Sequence, residues 1–191
     1  MKKIDSKDVC SYKVASTLDI SWRKRLQNPS LFLKSYIKPG MKVLDFGCGN
    51  GFCTLDLANL LGVNGKIVAA DLQQEMLELL KKKVSGSLFE NNISFHKCEQ
   101  NQTGIKDHFD FMLLFWMFHE VPNQGHLLKE LKSLLNAGGK IMISEPKVHV
   151  KSKSFLEEKQ LAQECGFIVE NGPKIFFSRT MVLSVNSKNS N

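Results

Sequence analysis

Several features that mark membrane, secreted or repeat proteins are missing from this 191-residue chain. No apolar run approaches the roughly 20 residues that a membrane-spanning helix needs. The basic residues near the start are followed by no apolar stretch, so we expect no secretory signal. The five cysteines form no CxxC pair, and a disulfide framework is therefore not expected. With no internal repeat or low-complexity linker either, we expect a cytoplasmic protein without a membrane span.

Acidic residues are scarce only at the two ends of the chain. The formal net charge is +7, to which residues 1–41, 42–145 and 146–191 contribute +6, −2 and +3. A basic excess is the first sign of a protein that binds nucleic acid, so an RNA-directed function stays open. The slightly acidic middle of the chain argues that this excess belongs to the ends and not to the central domain.

Short apolar strands alternate with amphipathic helices from residue 42 onward. This alternation predicts βαβ units and a parallel sheet with helices on both faces. Two last strands, 167–170 and 180–185, are joined by a short connection, which predicts an antiparallel hairpin at a sheet edge. The predicted fold class is therefore α/β, a doubly wound, mostly parallel, seven-stranded Rossmann-like sheet with an antiparallel last strand. The first five strands are predicted at 42–46, 66–70, 93–98, 109–115 and 140–144.

Local signals also predict two helix boundaries. The leucine-rich stretch that ends at Leu135 predicts a helix stopped by Gly138 and Gly139. Ser154 and Glu157 have the spacing of a capping box, which predicts a helix start at Ser154.

A glycine-rich loop, Gly47-Cys48-Gly49-Asn50-Gly51, follows the first strand. In doubly wound sheets the ligand binds beyond the carboxyl ends of the strands, next to such a loop. Asp45 lies at the end of an otherwise apolar strand, where a carboxylate is costly to bury unless it is hydrogen-bonded or meets a positive ligand. Because a pyrophosphate would be repelled there and an ammonium attracted, Asp45 argues against an NAD-type oxidoreductase.

Asp71 closes the second strand, twenty residues after Gly51. This is the usual place for an acid that accepts hydrogen bonds from ribose hydroxyls, and Leu72 follows where it could flank an adenine ring. An adenosine with a positively charged amino-acid tail and no phosphate is S-adenosylmethionine.

The segment Val43 to Gly51 resembles the glycine motif of class I S-adenosylmethionine-dependent methyltransferases. The likeness continues in order through residues 70–72, 95–99, 109–122 and 134–140, and it covers about residues 37–185. It is greatest to the small type 11 or quinone-biosynthesis kind. The resemblance implies S-adenosylmethionine as cofactor, S-adenosylhomocysteine as product, and a cofactor-binding domain over 37–185. Residues 1–36 are predicted to form a helical arm that is a candidate lid, in which Trp22 either lies over the cofactor or packs the arm, and 186–191 a frayed tail.

The resemblance also implies the site residues. His119 and Glu120, after the fourth strand, are candidate bases, with a structural role as the alternative. Glu99 stands where the family usually has Asp, and Phe115 either belongs to the core or shapes the methyl-transfer pocket through cation–π attraction. No metal site is predicted. The predicted cofactor contacts are Asp45, Gly47, Cys48, Gly49, Asn50, Gly51, Asp71, Leu72, Glu99 and Phe115.

The predicted reaction is methyl transfer to a small-molecule acceptor, catalysed mainly by proximity and orientation. The sequence after the fourth strand, Phe115-Trp116-Met117-Phe118, lacks the Asn/Asp-Pro-Pro-aromatic motif of enzymes that methylate nucleic-acid amino groups. Two alternatives stay open. One is an RNA or ribosome-associated methyltransferase that uses the basic ends, and the other is a cofactor-binding protein without catalysis. The oligomeric state is not predicted.

Overall fold

The computed structural model describes residues 20–186, with side chains from residue 24 onward. Trp22, as a predicted part of a lid, and the predicted tail from 187 onward lie outside the described side chains and residues. Within residues 20–186, none of the helices is long and apolar enough to cross a membrane. The helices are α1 (Ile20–Gln27), α2 (Pro29–Leu33), α3 (Thr54–Leu61), α4 (Gln74–Val84), α5 (Gln124–Ser133) and α6 (Ser152–Glu164), with 3₁₀ turns at Glu90–Asn92 and Phe118–Glu120. The strands are β1 (Lys42–Phe46), β2 (Lys66–Asp71), β3 (Ile93–Lys97), β4 (Phe109–Phe115), β5 (Leu135–Pro146), β6 (Ile168–Asn171) and β7 (Ser178–Ser184).

The seven strands form one sheet in the order β3-β2-β1-β4-β5-β7-β6. Strands β1 to β5 pair in parallel, while β7 is antiparallel to both β5 and β6. This confirms the predicted fold class and the antiparallel last pair. The strand order reverses between β1 and β4, so their carboxyl ends border the crevice where ligands bind in doubly wound sheets.

The central strands are mostly apolar because helices cover both faces of the sheet. Val43 and Leu113 point to one face, where they pack with residues of α2, α3 and α4. Leu44 and Leu114 point to the other face, where they pack with residues of α5 and α6. Successive strand residues alternate between the two cores, as the pleat requires.

Part of the segment 24–36 packs on the first of these faces. Phe32 and Leu33 are buried in its core. The ammonium of Lys24 lies 3.1 Å from the carboxylate of Asp56 on α3, and the buried Gln27 donates a 2.9 Å hydrogen bond to the carbonyl of Phe176. The segment is therefore anchored at its carboxyl-terminal end, and its role as a lid stays a prediction.

Two predicted boundaries are wrong. Helix α5 ends at Ser133, and Leu135 already belongs to β5, where it pairs with Phe109 across an irregularity in the ladder. Helix α6 begins at Ser152 without a side-chain cap, and the hydroxyl of Ser152 accepts a 2.7 Å hydrogen bond from Arg179 of β7. In both places tertiary contacts outweigh the local signal. Cys48, Cys53, Cys98 and Cys165 form no disulfide with one another, and Cys10 lies outside the described residues.

Candidate active site

The glycine loop closes over the carboxyl end of β2. The amides of Gly47 and Cys48 both donate to the carbonyl of Ala70, at 2.8 and 3.1 Å. The amide of Gly49 donates to the carboxylate of Asp71 at 2.8 Å. The loop and the end of β2, which the sequence predicts to share a ligand, are therefore in direct contact.

Two of the glycines are needed for different reasons. Gly47 has a φ of +70°, and a Cβ there would lie 2.5 Å from the Cγ of Met117, which follows β4. Gly49 has a φ of +52°, and a Cβ there would meet no atom within 4 Å. Only glycine adopts such backbone angles without strain. Gly47 thus allows the loop to approach the β4 edge, while Gly49 faces open space beyond the sheet.

Asp45 is a buried carboxylate beneath the loop, with an exposed fraction of 2%. Burial and the negative charge of Asp71 together raise the pKa of Asp45 to about 6, although the hydrogen bond from Thr54 lowers it. The Thr54 hydroxyl donates to it at 2.6 Å. A positive group placed near this pair of acids would be stabilised, since it would favour their ionised forms.

The second acid, Asp71, is also buried. It accepts hydrogen bonds from the amides of Gly49 and Gln73, at 2.8 and 2.9 Å. Burial raises its pKa, and the backbone hydrogen bonds oppose that change. Each carboxylate oxygen has two lone pairs, so the group retains the capacity to accept from hydroxyl donors as well. Leu72 follows it and is partly exposed.

Glu99 lies beyond the end of β3, on the same edge of the sheet. The amide of the preceding residue, Cys98, donates to the carbonyl of Asp71 at 2.9 Å. The Glu99 side chain is exposed and accepts a 2.7 Å hydrogen bond from Gln102. The backbone therefore brings Glu99 to the predicted edge, while its cofactor contact stays a prediction.

Phe115, at the end of β4, lies within an aromatic cluster. Its ring stacks on Phe32, Phe52 and Trp116, with centroids 5.6, 5.5 and 5.7 Å away. Trp116 has a φ of +60° and donates from its indole to the hydroxyl of Ser178 at 2.8 Å. A positive φ at a bulky residue is strained, and such strain concentrates at functional sites. The cluster joins α2, the segment after the glycine loop and the end of β4.

His119 lies in the 3₁₀ turn after β4, against the carboxyl end of β5. Its Nδ1 is hydrogen-bonded to Glu145, which is fully buried and also accepts a 2.9 Å hydrogen bond from the amide of Phe118. The imidazole stacks on His149 at a centroid distance of 5.6 Å. A carboxylate oxygen of Glu120 lies 4.0 Å from Nε2. The ring is thus fixed by Glu145, with Nε2 pointing away from that bond.

A cavity of about 420 Å³ adjoins this histidine. Glu158 of α6 lines it and is 6% exposed, and one of its carboxylate oxygens has no hydrogen-bond partner. Burial, together with the charge of Glu145, raises the pKa of Glu158 to about 7. Burial lowers the pKa of His119, but its hydrogen bond to Glu145 and the charges of Glu145, Glu120 and Glu158 outweigh this and raise it overall. The lining residues are His119, Gln124, His149, Val150, Ser154, Glu157, Glu158 and Leu161.

Residues 37–178 match the family described as "Methyltransferase domain". The chain belongs to this methyltransferase family. The match confirms the resemblance to class I S-adenosylmethionine-dependent methyltransferases that residues 43–51 first indicate.

Relatives of this methyltransferase-domain protein include enzymes of quinone biosynthesis. It is 30% identical over 142 residues to the demethylmenaquinone methyltransferase of Bacillus cytotoxicus, covering 74% of this chain and 57% of the relative. It is 30% identical over 109 residues to the ubiquinone/menaquinone biosynthesis C-methyltransferase UbiE of Shewanella frigidimarina, covering 56% and 43%. The chain thus spans about half the length of these curated relatives.

A solved structure resembles the chain over nearly its whole length. The S-adenosylmethionine-dependent methyltransferase from Aquifex aeolicus superposes with a TM-score of 0.80 at 27% identity. The match covers 92% of this chain and 97% of that one. The Rossmann-like fold of this methyltransferase-domain protein is therefore shared with a solved methyltransferase chain of similar length.

Sequence reasoning missed four residues of the site: Thr54, Glu145, His149 and Glu158. Glu145 follows an apolar strand, which is the pattern that singled out Asp45 and Asp71, so the same signal could have found it. Glu158 lies three residues after Phe155 and four before Ala162, so helical spacing could have placed it on the buried face of α6, unlike its exposed neighbour Glu157. Within the described part of the chain, no cluster of three or more potential ligands could hold a metal ion.

Proposed function

We propose that this protein transfers a methyl group from S-adenosylmethionine to a small-molecule acceptor of the quinone type. The observation that carries the first part is the pair of buried acids, Asp45 and Asp71, beneath and beside the glycine loop. Their raised pKa values mean that the folded protein leaves negative charge poorly compensated where a cationic ligand would bind. The names of the quinone-biosynthesis relatives support the second part.

The described residues fit this cofactor. We propose that Asp71 accepts hydrogen bonds from the ribose hydroxyls, that Leu72 flanks the adenine, and that Asp45 attracts the ammonium directly or through water. The open space at Gly49 leaves room for a ligand at the sheet edge. When bound, S-adenosylmethionine supplies a methyl group on a sulfonium and leaves as S-adenosylhomocysteine. The other proposed contacts are Gly47, Cys48, Asn50, Gly51, Glu99 and Phe115.

On the acceptor side, we propose that His119 is the base. When the ring is neutral, hydrogen bonding to the buried Glu145 keeps the proton on Nδ1, so Nε2 is the basic nitrogen. Nε2 would take the proton of a weakly acidic acceptor such as a hydroquinone, and Glu145 would position the ring. Glu120, whose carboxylate lies 4.0 Å from Nε2, is the second candidate.

Most of the acceleration in this proposal comes from orientation. Fixed alignment of two reactants is equivalent to about 10⁵–10⁸ M of one of them. The aromatic cluster around Phe115 and the strained Trp116 would provide the rigid walls for this alignment.

The test is transfer of a labelled methyl group from S-adenosylmethionine to a reduced, short-chain demethylmenaquinone, followed by mass spectrometry. We expect a methylated product from the wild type. His119→Gln should lower the rate about 100-fold or more with cofactor affinity unchanged. His108→Gln is the matched control, because His108 is exposed just before β4, at the opposite edge of the sheet.

Other outcomes of the same assay would contradict the proposal in identifiable ways. Label that appears instead in cell-extract RNA, and is lost on RNase treatment, would favour an RNA methyltransferase. Cofactor binding without transfer to the quinone or to any extract fraction would indicate a protein without catalysis. The cytoplasmic location stays a prediction from the sequence.

A further inference from the structure

Two segments beside the carboxyl ends of the parallel strands form one basic surface. Residues 146–156 and 172–179 together contain five basic residues and no acidic residue. This composition accounts for the positive charge of the C-terminal part of the chain, and we call the region the basic edge surface. Its basic residues are Lys147, Lys151, Lys153, Lys174 and Arg179.

Hydrogen bonds hold the two segments together. Pro146, at the end of β5, pairs with Ser178, at the start of β7. The amide of Lys147 donates to the carbonyl of Phe177 at 2.9 Å. Arg179 donates to Ser152 at the start of α6 at 2.7 Å. The basic edge surface is therefore a fixed feature of the fold.

Large apolar side chains project from this surface. Phe176, Phe177 and Val148 are 48%, 50% and 67% exposed, and the two phenyl rings contact each other at a centroid distance of 5.0 Å. Leu156, one helical turn beyond Ser152, is 65% exposed. Neighbouring exposed apolar residues with a polar rim mark a site of interaction.

The turn that carries Phe176 and Phe177 has a strained backbone. Phe177 has a φ of +57°, a conformation that costs free energy at a bulky residue. The hydrogen bonds that its carbonyl and the carbonyl of Phe176 accept, from Lys147 and Gln27, hold this turn in place. Strain of this kind concentrates at functional sites, and both phenyl rings of this turn are about half exposed.

We propose that the basic edge surface docks on an anionic lipid bilayer, with Phe176 and Phe177 at the interface and the lysines toward the headgroups. Basic residues are attracted to anionic lipid, and apolar side chains beside them gain by entering the headgroup boundary. A single-stranded RNA would also use basic and aromatic groups, which it binds by stacking bases on rings. The exposed aliphatic chains of Val148 and Leu156 provide no stacking face, so the surface is better suited to lipid.

Docking in this orientation would place the bilayer beside the candidate active site, and this step alone rests on the proposed function. Ser178 directly follows Phe177 in the chain and accepts a hydrogen bond from the Trp116 indole. The surface therefore borders the aromatic cluster at the end of β4. A lipid-soluble acceptor of the quinone type would reach the candidate active site from the bilayer.

The test is co-sedimentation of the full chain with vesicles of phosphatidylcholine, with and without phosphatidylglycerol, at low and high salt. We expect binding to the anionic vesicles that salt weakens. Lys147→Glu combined with Lys174→Glu should weaken it about tenfold or more. The matched control is Lys66→Glu combined with Lys106→Glu, since both lysines are exposed at the opposite edge of the sheet.

A second pair of variants tests the exposed phenylalanines. Phe176→Ser combined with Phe177→Asn should weaken vesicle binding about tenfold, and asparagine tolerates the positive φ at position 177. Leu88→Ser is the control, because Leu88 is 76% exposed in the turn before β3, at the far edge. Unchanged circular dichroism would show that each variant folds.

Three results would overturn the proposal. They are no binding to anionic vesicles, equal loss of binding in the controls, and RNA binding that is tighter than vesicle binding. Self-association that the phenylalanine variants abolish would instead assign the surface to a second copy of the chain. Activity on a soluble short-chain acceptor should persist in the surface variants, so a failure of docking and a failure of the proposed function give different results.

Discussion

Buried acids lie at the carboxyl ends of parallel strands in two regions of this molecule, and their partners differ. At the β1–β2 edge, Asp45 and Asp71 are held by a hydroxyl and by backbone amides. At the β4–β5 edge, which is formed by the carboxyl ends of these two strands, Glu145 is held by a histidine and an amide. The charge of Glu145 also acts on Glu158 of α6. The first edge uses donors that do not titrate, while the second uses an imidazole, which can gain and lose a proton.

Because of this difference, the two groups of buried acids suit different ligands. The first edge carries uncompensated negative charge, which suits a permanently cationic ligand such as a sulfonium. At the second edge the pKa values of His119 and Glu158 are both raised, which suits an acceptor that must lose a proton. We therefore expect substitutions at the first edge to change cofactor affinity, and substitutions at the second to change stability and pH dependence.

The largest effect is expected for Glu145→Ala at the β4–β5 edge. The change removes the buried partner of His119 and of the Phe118 amide, so we expect a loss of about 2–4 kcal/mol in the free energy of unfolding. Urea denaturation measures it. Glu157→Ala, at an exposed position on α6, should change stability by less than about 0.5 kcal/mol. A small effect of Glu145→Ala would mean that this edge is not held by the buried pair.

Asp71→Ala addresses the β1–β2 edge. We expect S-adenosylmethionine binding to weaken by about 1.5–3 kcal/mol, the usual value of hydrogen bonds to a charged acceptor. Calorimetry measures the affinity, with Asp107→Ala as a control because Asp107 is exposed before β4, at the far edge. Unchanged affinity in the Asp71 variant would remove Asp71 from the proposed cofactor site.

Glu158→Gln tests the pH dependence of the β4–β5 edge. The folded pKa of Glu158 is about 7 against an ordinary 4.5, so the folded state holds its proton where the unfolded state loses it. This contribution to stability is complete below pH 4.5 and is lost as the pH rises to about 7, by about 1–3 kcal/mol. Unfolding followed from pH 4 to 8 should therefore show a smaller decline for the variant than for the wild type. Parallel curves would contradict the raised pKa.

The smallest effect is expected where residues 20–36 meet the domain. Lys24→Ala removes a partly exposed ion pair with Asp56, which we expect to contribute less than about 1 kcal/mol to stability. Phe32→Ala removes a buried ring from the same segment and serves as the contrasting variant, with an expected loss of about 3 kcal/mol or more. Equal losses would mean that the segment is held by charge and not by burial.

The β1–β2 edge was largely predictable from sequence because its determinants are local. The glycines, Asp45 and Asp71 lie within 27 residues of one another, and an acid that ends an apolar strand stands out against its neighbours. Thr54 was missed because a threonine at the start of a helix is ordinary there, and only the folded loop aims its hydroxyl at Asp45.

The β4–β5 edge was only partly predictable, since its residues are far apart in the chain. His119 could be selected from the loop after the fourth strand, but its partner Glu145 is 26 residues away. Helical spacing places Glu158 on the buried face of α6, but only the packing of that helix brings it near Glu145 and His119. The early start of β5 at Leu135 likewise depends on its pairing with Phe109.

By itself, the sequence determined the methyltransferase family, the order of strands and helices and the glycine loop with its two acids, because periodicity and a contiguous motif carry that information. Tertiary structure alone decided which titratable groups meet at the β4–β5 edge and which basic and apolar residues share the surface beside it. Those contacts join segments that are distant in the chain, and their pKa values and exposure depend on burial that no local pattern encodes.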